Sequence, residues 1–272
     1  MKKIKKNNIN LYDTITCGQI FRYEVNNNEY ILILEDRVVK LIEDDNYIYI
    51  TSSNEEDIEN IINKYLDLIT DYDKINKVLI ENNSSFEEVI SECTGFKVIN
   101  SPKFETIISY MISANNNVRN IQKSVNLMGE RYGEKVIFED KEYYLFPSLD
   151  KLKTLSIEDL NSLKLGFRSE YIYNLLNNIT LDDIDRVDSM STRDAITYLT
   201  SFKGIGLKIA SCILLFGYKR LDVFPIDTWV KKYMSDNYGI SDIKDIEKYA
   251  KENYKEYSGL AIQYMFHSKR NK

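Results

Sequence analysis

The sequence predicts an α+β chain, mostly α, with a small antiparallel sheet first and helices after it. Three observations carry this. Between residues 21 and 53, β-rich runs alternate with Asn/Asp turns. After Asn54 the apolar residues recur at helical spacing. The chain has 272 residues and is 43% hydrophobic, enough to bury a sizeable core in one or two domains. The expected division is a sheet domain over 1–75 and a helical region of two subdomains over 76–272, with a hairpin at 192–217.

Taken in order, Thr14 to Gln19 reads as an irregular lead-in with a glycine at Gly18. Phe21 to Val25 alternates, and Asn26-Asn27-Asn28 turns the chain. Tyr30–Leu34, Val38–Ile42 and Tyr47–Thr51 follow as strands, separated by Glu35-Asp36-Arg37 and Asp44-Asp45-Asn46. Helical spacing then covers Glu55–Leu68, Tyr72–Glu81 and Ser85–Cys93, the last with a Ser85…Glu88 capping box. Phe104–Ala114 is a strongly apolar helix ending in Asn115-Asn116-Asn117, and Val118–Tyr132 is another. Residues 134–147 leave room for a short strand pair. Further helices are expected at Ser156–Leu163, Arg168–Asn178, Ser191–Ser201, Ser241–Glu252 and Ser258–Ser268. No repeat and no low-complexity segment is apparent.

Composition excludes several classes. No run of about 18 apolar residues is present, so a membrane span is not expected. The basic start MKKIKKNNIN has no apolar segment behind it, which argues against a secretory signal and for the cytoplasm. Cys17, Cys93 and Cys212 are far apart and match no zinc or iron–sulfur spacing. His267 is the only histidine, which removes Ser-His-Asp and Cys-His triads and most metal sites. Any nucleophile must therefore be Lys, Asp, Glu, Tyr or Cys. The net charge is −6. That weighs against nucleic acid unless backbone N–H groups and a local basic patch hold the phosphates.

One stretch, Leu199 to Lys231, concentrates the chemistry. It reads as a helix end, a turn at Phe202-Lys203-Gly204-Ile205-Gly206, and a second helix carrying Lys208. A Pro-containing loop then brings Asp227 to the start of a third helix. Gly204 and Gly206 mark two backbone positions that need φ > 0 or close approach. The N–H groups opening the second helix form an anion site that needs little side-chain charge, with Lys203 adding one. Cys212 lies at i+4 from Lys208 on a helix apolar almost all round. Burial there lowers the pKa of a lysine and frees the neutral amine, the form that attacks a sugar C1′. An ionised Asp227 stabilises an oxocarbenium-like sugar. Taken singly, each has a plain reading: a Gly-capped corner, a lysine whose head reaches solvent, an N-cap aspartate.

The ordered combination resembles the helix-hairpin-helix glycosylase superfamily with its Gly/Pro-rich loop and terminal Asp. Within that superfamily it is similar to the 8-oxoguanine DNA glycosylase/lyases. The resemblance covers nearly the whole chain. It implies that Lys208 is the nucleophile, Asp227 its acidic partner, and Cys212 a residue flanking the flipped base. Cys17-Gly18-Gln19-Ile20-Phe21-Arg22 resembles the family element whose glycine carbonyl reads the N7–H of 8-oxoguanine, here Gly18. Ser113 to Asn117 resembles the Asn-rich loop that fills the duplex, which implicates Asn115. Gly166-Phe167-Arg168 resembles the segment with the wedge aromatic and the opposite-strand Arg. Gly259-Leu260-Ala261 and Phe266 resemble the helix whose Phe stacks on the base.

Four positions depart from the family pattern, one being Trp229, which replaces a His near the phosphate. Asn120 stands where animal members carry an Arg reading the opposite cytosine, with Arg119 adjacent. Phe167 replaces a Tyr wedge. The base-reading Gln aligns with Ile262, and Gln263 is one residue off, about 100° around the helix. The resemblance implies a monomeric enzyme acting on duplex DNA that contains 8-oxoguanine. It would need no cofactor and no metal, and would sit at the nucleoid when at work. Lys203, Gly204 and Gly206 would hold a lesion-strand phosphate. The alternatives are a monofunctional alkylpurine glycosylase of the same fold, a non-catalytic DNA-binding hairpin module, and an acidic interaction protein.

Overall fold

A computed structural model of the chain describes residues 1–270. Strand β1 (Lys2–Lys5) has one apolar residue, so no alternation announces it. Helix α1 (Leu11–Thr16) follows, where an irregular segment was expected from residue 14. Asn10 caps it by accepting from the Asp13 N–H, and Leu11, Thr14 and Ile15 are its buried face. Strands β2 (Tyr23–Asn26), β3 (Glu29–Ile33), β4 (Val38–Glu43) and β5 (Tyr47–Ser52) complete an antiparallel sheet of order β1-β5-β4-β3-β2. Pairing with β5 is what makes a strand of β1. Asn26 opposes Glu29 across a two-residue turn, with Asn27 at φ 55°.

One face of the sheet buries Tyr30, Leu32, Val39, Leu41, Ile48 and Ile50 against α1 and α2 (Ile58–Tyr65). The other face buries Ile31 and Val38 against Phe138, Tyr143 and Leu145.

The rest of the chain is helical apart from one strand pair. Helix α3 (Tyr72–Asn82) is capped by Asp71. A 3-10 turn at Ser84–Phe86 leads into the short α4 (Glu87–Ser91). The capping box expected at Ser85 and Glu88 does not form. The Ser85 hydroxyl donates instead to the Asn83 side chain at 2.7 Å, and the 3-10 turn moves the helix start to Glu87. Helix α5 (Lys103–Ser113) is buried without interruption from Thr106 to Ile112. Helix α6 (Val118–Tyr132) starts after the Asn-rich loop, with Asn117 as its cap. Strands β6 (Lys135–Phe138) and β7 (Lys141–Tyr144) form the hairpin that lies on the sheet.

Helices α7 (Leu149–Lys153), α8 (Ile157–Ser162), α9 (Arg168–Asn178) and α10 (Leu181–Arg186) follow. Neither α7 nor α10 was expected. Both have N-caps, Ser148 and Thr180, but are too short for apolar periodicity to register. The hairpin is α11 (Thr192–Thr200) and α12 (Leu207–Gly217). The last helices are α13 (Thr228–Tyr238), α14 (Ile243–Asn253) and α15 (Ser258–Arg270).

Helix α12 is buried from Ile209 to Gly217 and packs along α5. At the contact, a Cβ added to Gly217 would stand 3.4 Å from Thr106, so the two backbones pass close together. These two apolar helices are the axis of the main core, and the site lies where their ends meet the sheet. No helix among the described residues is long and apolar enough to cross a membrane.

Candidate active site

The hairpin turn is shaped by one glycine rather than two. Gly204 has φ +93°, and a Cβ there would meet the Tyr171 ring atoms at 2.6 Å. Gly206 has φ −90° and ψ 176°, extended backbone open to any residue, and a Cβ there meets nothing within 4 Å. Conformation therefore explains Gly204, while Gly206 keeps the mouth of α12 open. Ala210 to Gly206 is the first intrahelical bond of α12, so the N–H groups before it have no intrahelical acceptor. They lie at the exposed turn beside Lys203.

Lys208 is half-buried one turn into α12. Its Nζ lies 5.9 Å from the centre of the Tyr110 ring, and Cys212 follows one helical turn later on the same face. Burial pushes that thiol up to about 11, although the Lys208 charge pulls the other way, so Cys212 is a neutral wall at pH 7 and not a competing nucleophile. The Asp227 charge also acts on the same thiol, which sets lysine, sulfur and carboxylate in one electrostatic neighbourhood. Asp227 is the N-cap of α13. Its Oδ1 accepts from the Val230 N–H at 2.8 Å. A cleft of about 680 Å³ opens beside Lys208, lined by Leu207, Ser211, Phe224, Ile226 and Ser258.

Tyr110 joins this side to the N-terminal sheet domain. Its hydroxyl donates to the Gln19 carbonyl at 3.1 Å, and its ring stacks on Phe216 of α12. Burial holds its hydroxyl protonated well above the ordinary tyrosine range. The Gln19 side chain donates to the Lys97 carbonyl at 2.8 Å and accepts from the Ile99 N–H at 2.9 Å. Gly18, at φ +98°, is thus carried on a fixed segment, with Val118 the one neighbour a Cβ would meet, at 3.8 Å. Sequence reasoning missed Tyr110. It lies in the apolar run of α5 and looks like core, and only its hydroxyl distinguishes it.

At the other end of the chain, Phe266 is 36% exposed on α15 and meets Trp229 of α13 edge-on at 5.1 Å. Ile262 and Gln263 both flank the Phe266 face, at four and three residues before it, but Ile262 is buried whereas Gln263 is half-exposed. Phe167 is 54% exposed and touches Tyr171, the ring that closes on Gly204.

Arg168 differs from its expected place at the opposite strand. It is buried, and its guanidinium donates to the carbonyls of Ala114 at 2.7 Å, Asn115 at 2.8 Å and Leu165 at 3.0 Å. It clamps the Asn-rich loop, in which Asn115 has φ +49°. Burial among carbonyls is the reason: a guanidinium that leaves water must place its N–H groups on acceptors. Arg119 and Asn120 stand exposed at the start of α6, next to Val118, which borders Gly18.

Fold and geometry together define a helix-hairpin-helix DNA glycosylase. Residues 2–107 match the family profile described as the N-terminal domain of 8-oxoguanine DNA glycosylase. The chain is 32% identical to the 8-oxoguanine glycosylase/lyase of Clostridium acetobutylicum in its apo form. The match covers 97% of this chain and 93% of that one, with a TM-score of 0.90. The same enzyme in complex with duplex DNA carrying cytosine opposite 8-oxoguanine matches with 30% identity and a TM-score of 0.91, over 100% of this chain and 98% of that one. The chain therefore belongs to the 8-oxoguanine DNA glycosylase/lyase family. A probable N-glycosylase/DNA lyase of Methanothermobacter thermautotrophicus is 28% identical over 191 residues, 62% of this chain, and the match spans 61% of that relative's length. The 3-methyladenine DNA glycosylase of Archaeoglobus fulgidus shares the fold, with a TM-score of 0.84 at 19% identity over 99% of each chain.

Proposed function

We propose that this chain is a bifunctional DNA glycosylase and abasic-site lyase that removes 8-oxoguanine from duplex DNA. The observation that carries the reading is the Gly204 hairpin that opens α12, with Lys208 one turn before the buried Cys212 and Asp227 capping the next helix. A lysine in that setting has an apolar wall on one side and a carboxylate on the other, which suits attack on a sugar whose carbon is becoming cationic.

In this reading the damaged nucleotide leaves the stack and enters the space between Cys212 and Phe266. The Lys208 amine, having given up a proton, attacks C1′ as the bond to the base breaks, and the base departs with the bonding electrons and takes up a proton. Asp227 stabilises the positive charge on the sugar. Ring opening gives a Schiff base at Lys208. Loss of a 2′ proton then expels the 3′ phosphate by β-elimination, and water frees the lysine. The Gly18 carbonyl accepts from N7–H, a group that guanine lacks. Gln263 is half-exposed near Phe266 and carries an amide, which supports it as the edge reader in place of the buried, apolar Ile262.

N–H groups at Gly204 and Gly206, with Lys203, hold a lesion-strand phosphate, which reconciles DNA binding with the acidic chain. Asn115 and Phe167 fill the gap, Arg168 acts through the loop it clamps, and Arg119 and Asn120 face the opposite strand. All of these contacts come from one chain, so a monomer suffices.

The test is cleavage of 8-oxoguanine duplexes with each of the four opposite bases, with and without borohydride. A covalent adduct that depends on Lys208 is expected. Base removal without any trapped adduct would sink the lyase step and leave a monofunctional enzyme.

A further inference from the structure

We infer that Trp229 is a positioning residue that sets the ring of Phe266 for stacking on the extruded base. The inference rests on the base-binding role proposed above for Phe266. Trp229 is the only tryptophan of the chain. It stands two residues after Asp227, in the first turn of α13. Its ring meets Phe266 at 5.1 Å and 76°, the edge-on arrangement that aromatic quadrupoles favour. Among the described residues it is the one ring in contact with Phe266.

Behind it the rings continue inward. Trp229 stacks on Tyr233 at 5.3 Å and 28°, Tyr233 meets Tyr238 at 6.2 Å, and Tyr238 meets Tyr249 at 4.8 Å. Tyr249 reaches Tyr254 at 5.9 Å, and Tyr254 is fully buried against Phe86 at 5.0 Å. The outermost ring of this column is the one with an open face. A partly exposed Phe on a helix chooses among staggered rotamers, and nothing on its solvent side decides between them. The indole contact decides it from behind. Fixing the ring before the base arrives removes an ordering step from base capture. Trp229 also ties the helix that carries the carboxylate to the helix that carries the stacking ring, so the sugar and base ends of the nucleotide are held at a set separation.

The two half-reactions separate this role from a structural one. Removing a base needs the stacking ring, whereas β-elimination at a preformed abasic site has no base to stack. Trp229→Ala is therefore expected to slow 8-oxoguanine excision roughly tenfold, the scale of one base–aromatic stack. Cleavage of a duplex with a preformed abasic site stays within about twofold by the same reasoning. Trp229→Phe restores most of the excision rate. Trp229→Leu keeps the bulk without a ring and carries the same expectation if the alanine variant does not fold. Combined with Phe266→Ala, Trp229→Ala adds little further loss, because both act through one ring. Equal loss of excision and abasic-site cleavage would overturn the proposal, since the indole would then serve α13 and Asp227. Unchanged excision would overturn it as well. Wild-type protein inert on both substrates would overturn the glycosylase reading and this inference with it.

Discussion

The two halves of the proposed site are built in opposite ways. The reactive half, Lys208, Cys212 and Asp227, comes from one uninterrupted stretch and is fixed by local rules: a hairpin glycine, an i,i+4 pair and an N-cap. The reading half is assembled from distant segments. Gly18 precedes the second strand, Val118 opens α6 and Phe266 is near the chain end. Its parts are held by single long-range contacts, such as Tyr110 on the Gln19 carbonyl and His267 of α15 facing Asp13 of α1 at 3.4 Å. Chemistry that every substrate shares can be encoded locally. Recognition of one base needs surfaces from several elements at once.

Variants can test how far this division holds. Lys208→Gln is expected to abolish borohydride trapping and to lower excision by on the order of 10³-fold or more, because it removes the nucleophile. Residual turnover near wild type would show that the local half is not the reactive one. Asp227→Asn comes next. Asparagine caps a helix as well as aspartate does, so the melting temperature should stay close to wild type. Excision should fall about 10²-fold through loss of the charge. Asp227→Ala would lose about 1 kcal/mol of stability in addition. A carboxamide that works as well as the carboxylate would reduce Asp227 to a cap.

The third test concerns the assembled half. Burial pushes the Glu105 carboxyl up to about 7, with Arg22 opposing and Glu35 adding to the rise. Its ordinary value is 4.5, so the folded chain prefers the protonated acid. That stability is fully present below pH 4.5 and is lost as pH rises to about 7, by up to roughly 3 kcal/mol. Thermal melts across this range should show the decline in the wild type and a flatter profile for Glu105→Gln. Equal slopes would mean that burial of the Glu105 carboxyl does not set this part of the pH dependence.

The last test is a pair of glycine variants. Gly204→Ala forces a Cβ against the Tyr171 ring at positive φ, for about 2 kcal/mol or a few degrees in melting temperature. Gly206→Ala should change stability by less than about 0.5 kcal/mol, being exposed and extended. Any weakening of DNA binding by Gly206→Ala would then report phosphate approach alone. Equal destabilisation by the two variants would contradict the geometry of the turn.

Much of this was legible in the sequence, for identifiable reasons. The segment around β2 alternates, β3 to β5 are β-rich runs, and Asn and Asp punctuate them, so they stand out. The α11–α12 hairpin shows through its Ser191 cap and glycine turn, and α12 through unbroken apolarity. What failed to show depends on partners far along the chain. β1 is a strand because β5 is beside it. Tyr110 matters through a carbonyl 91 residues away. Arg168 has the same sequence whether it faces DNA or clamps a loop, and only the carbonyls 53 and 54 residues away decide. Gln263 and Ile262 were separable only once their burial was known.

The clamp at Arg168 also bears on the search for damage. Asn115 is held in a left-handed conformation by a guanidinium on its own and the preceding carbonyl, so the loop is ordered before DNA is met. A loop that had to order itself would lose conformational entropy at every base pair it tested. Here that loss is taken once, when the chain folds. An enzyme that moves along a duplex, where undamaged pairs vastly outnumber lesions, can then probe each step quickly and let go of it just as quickly.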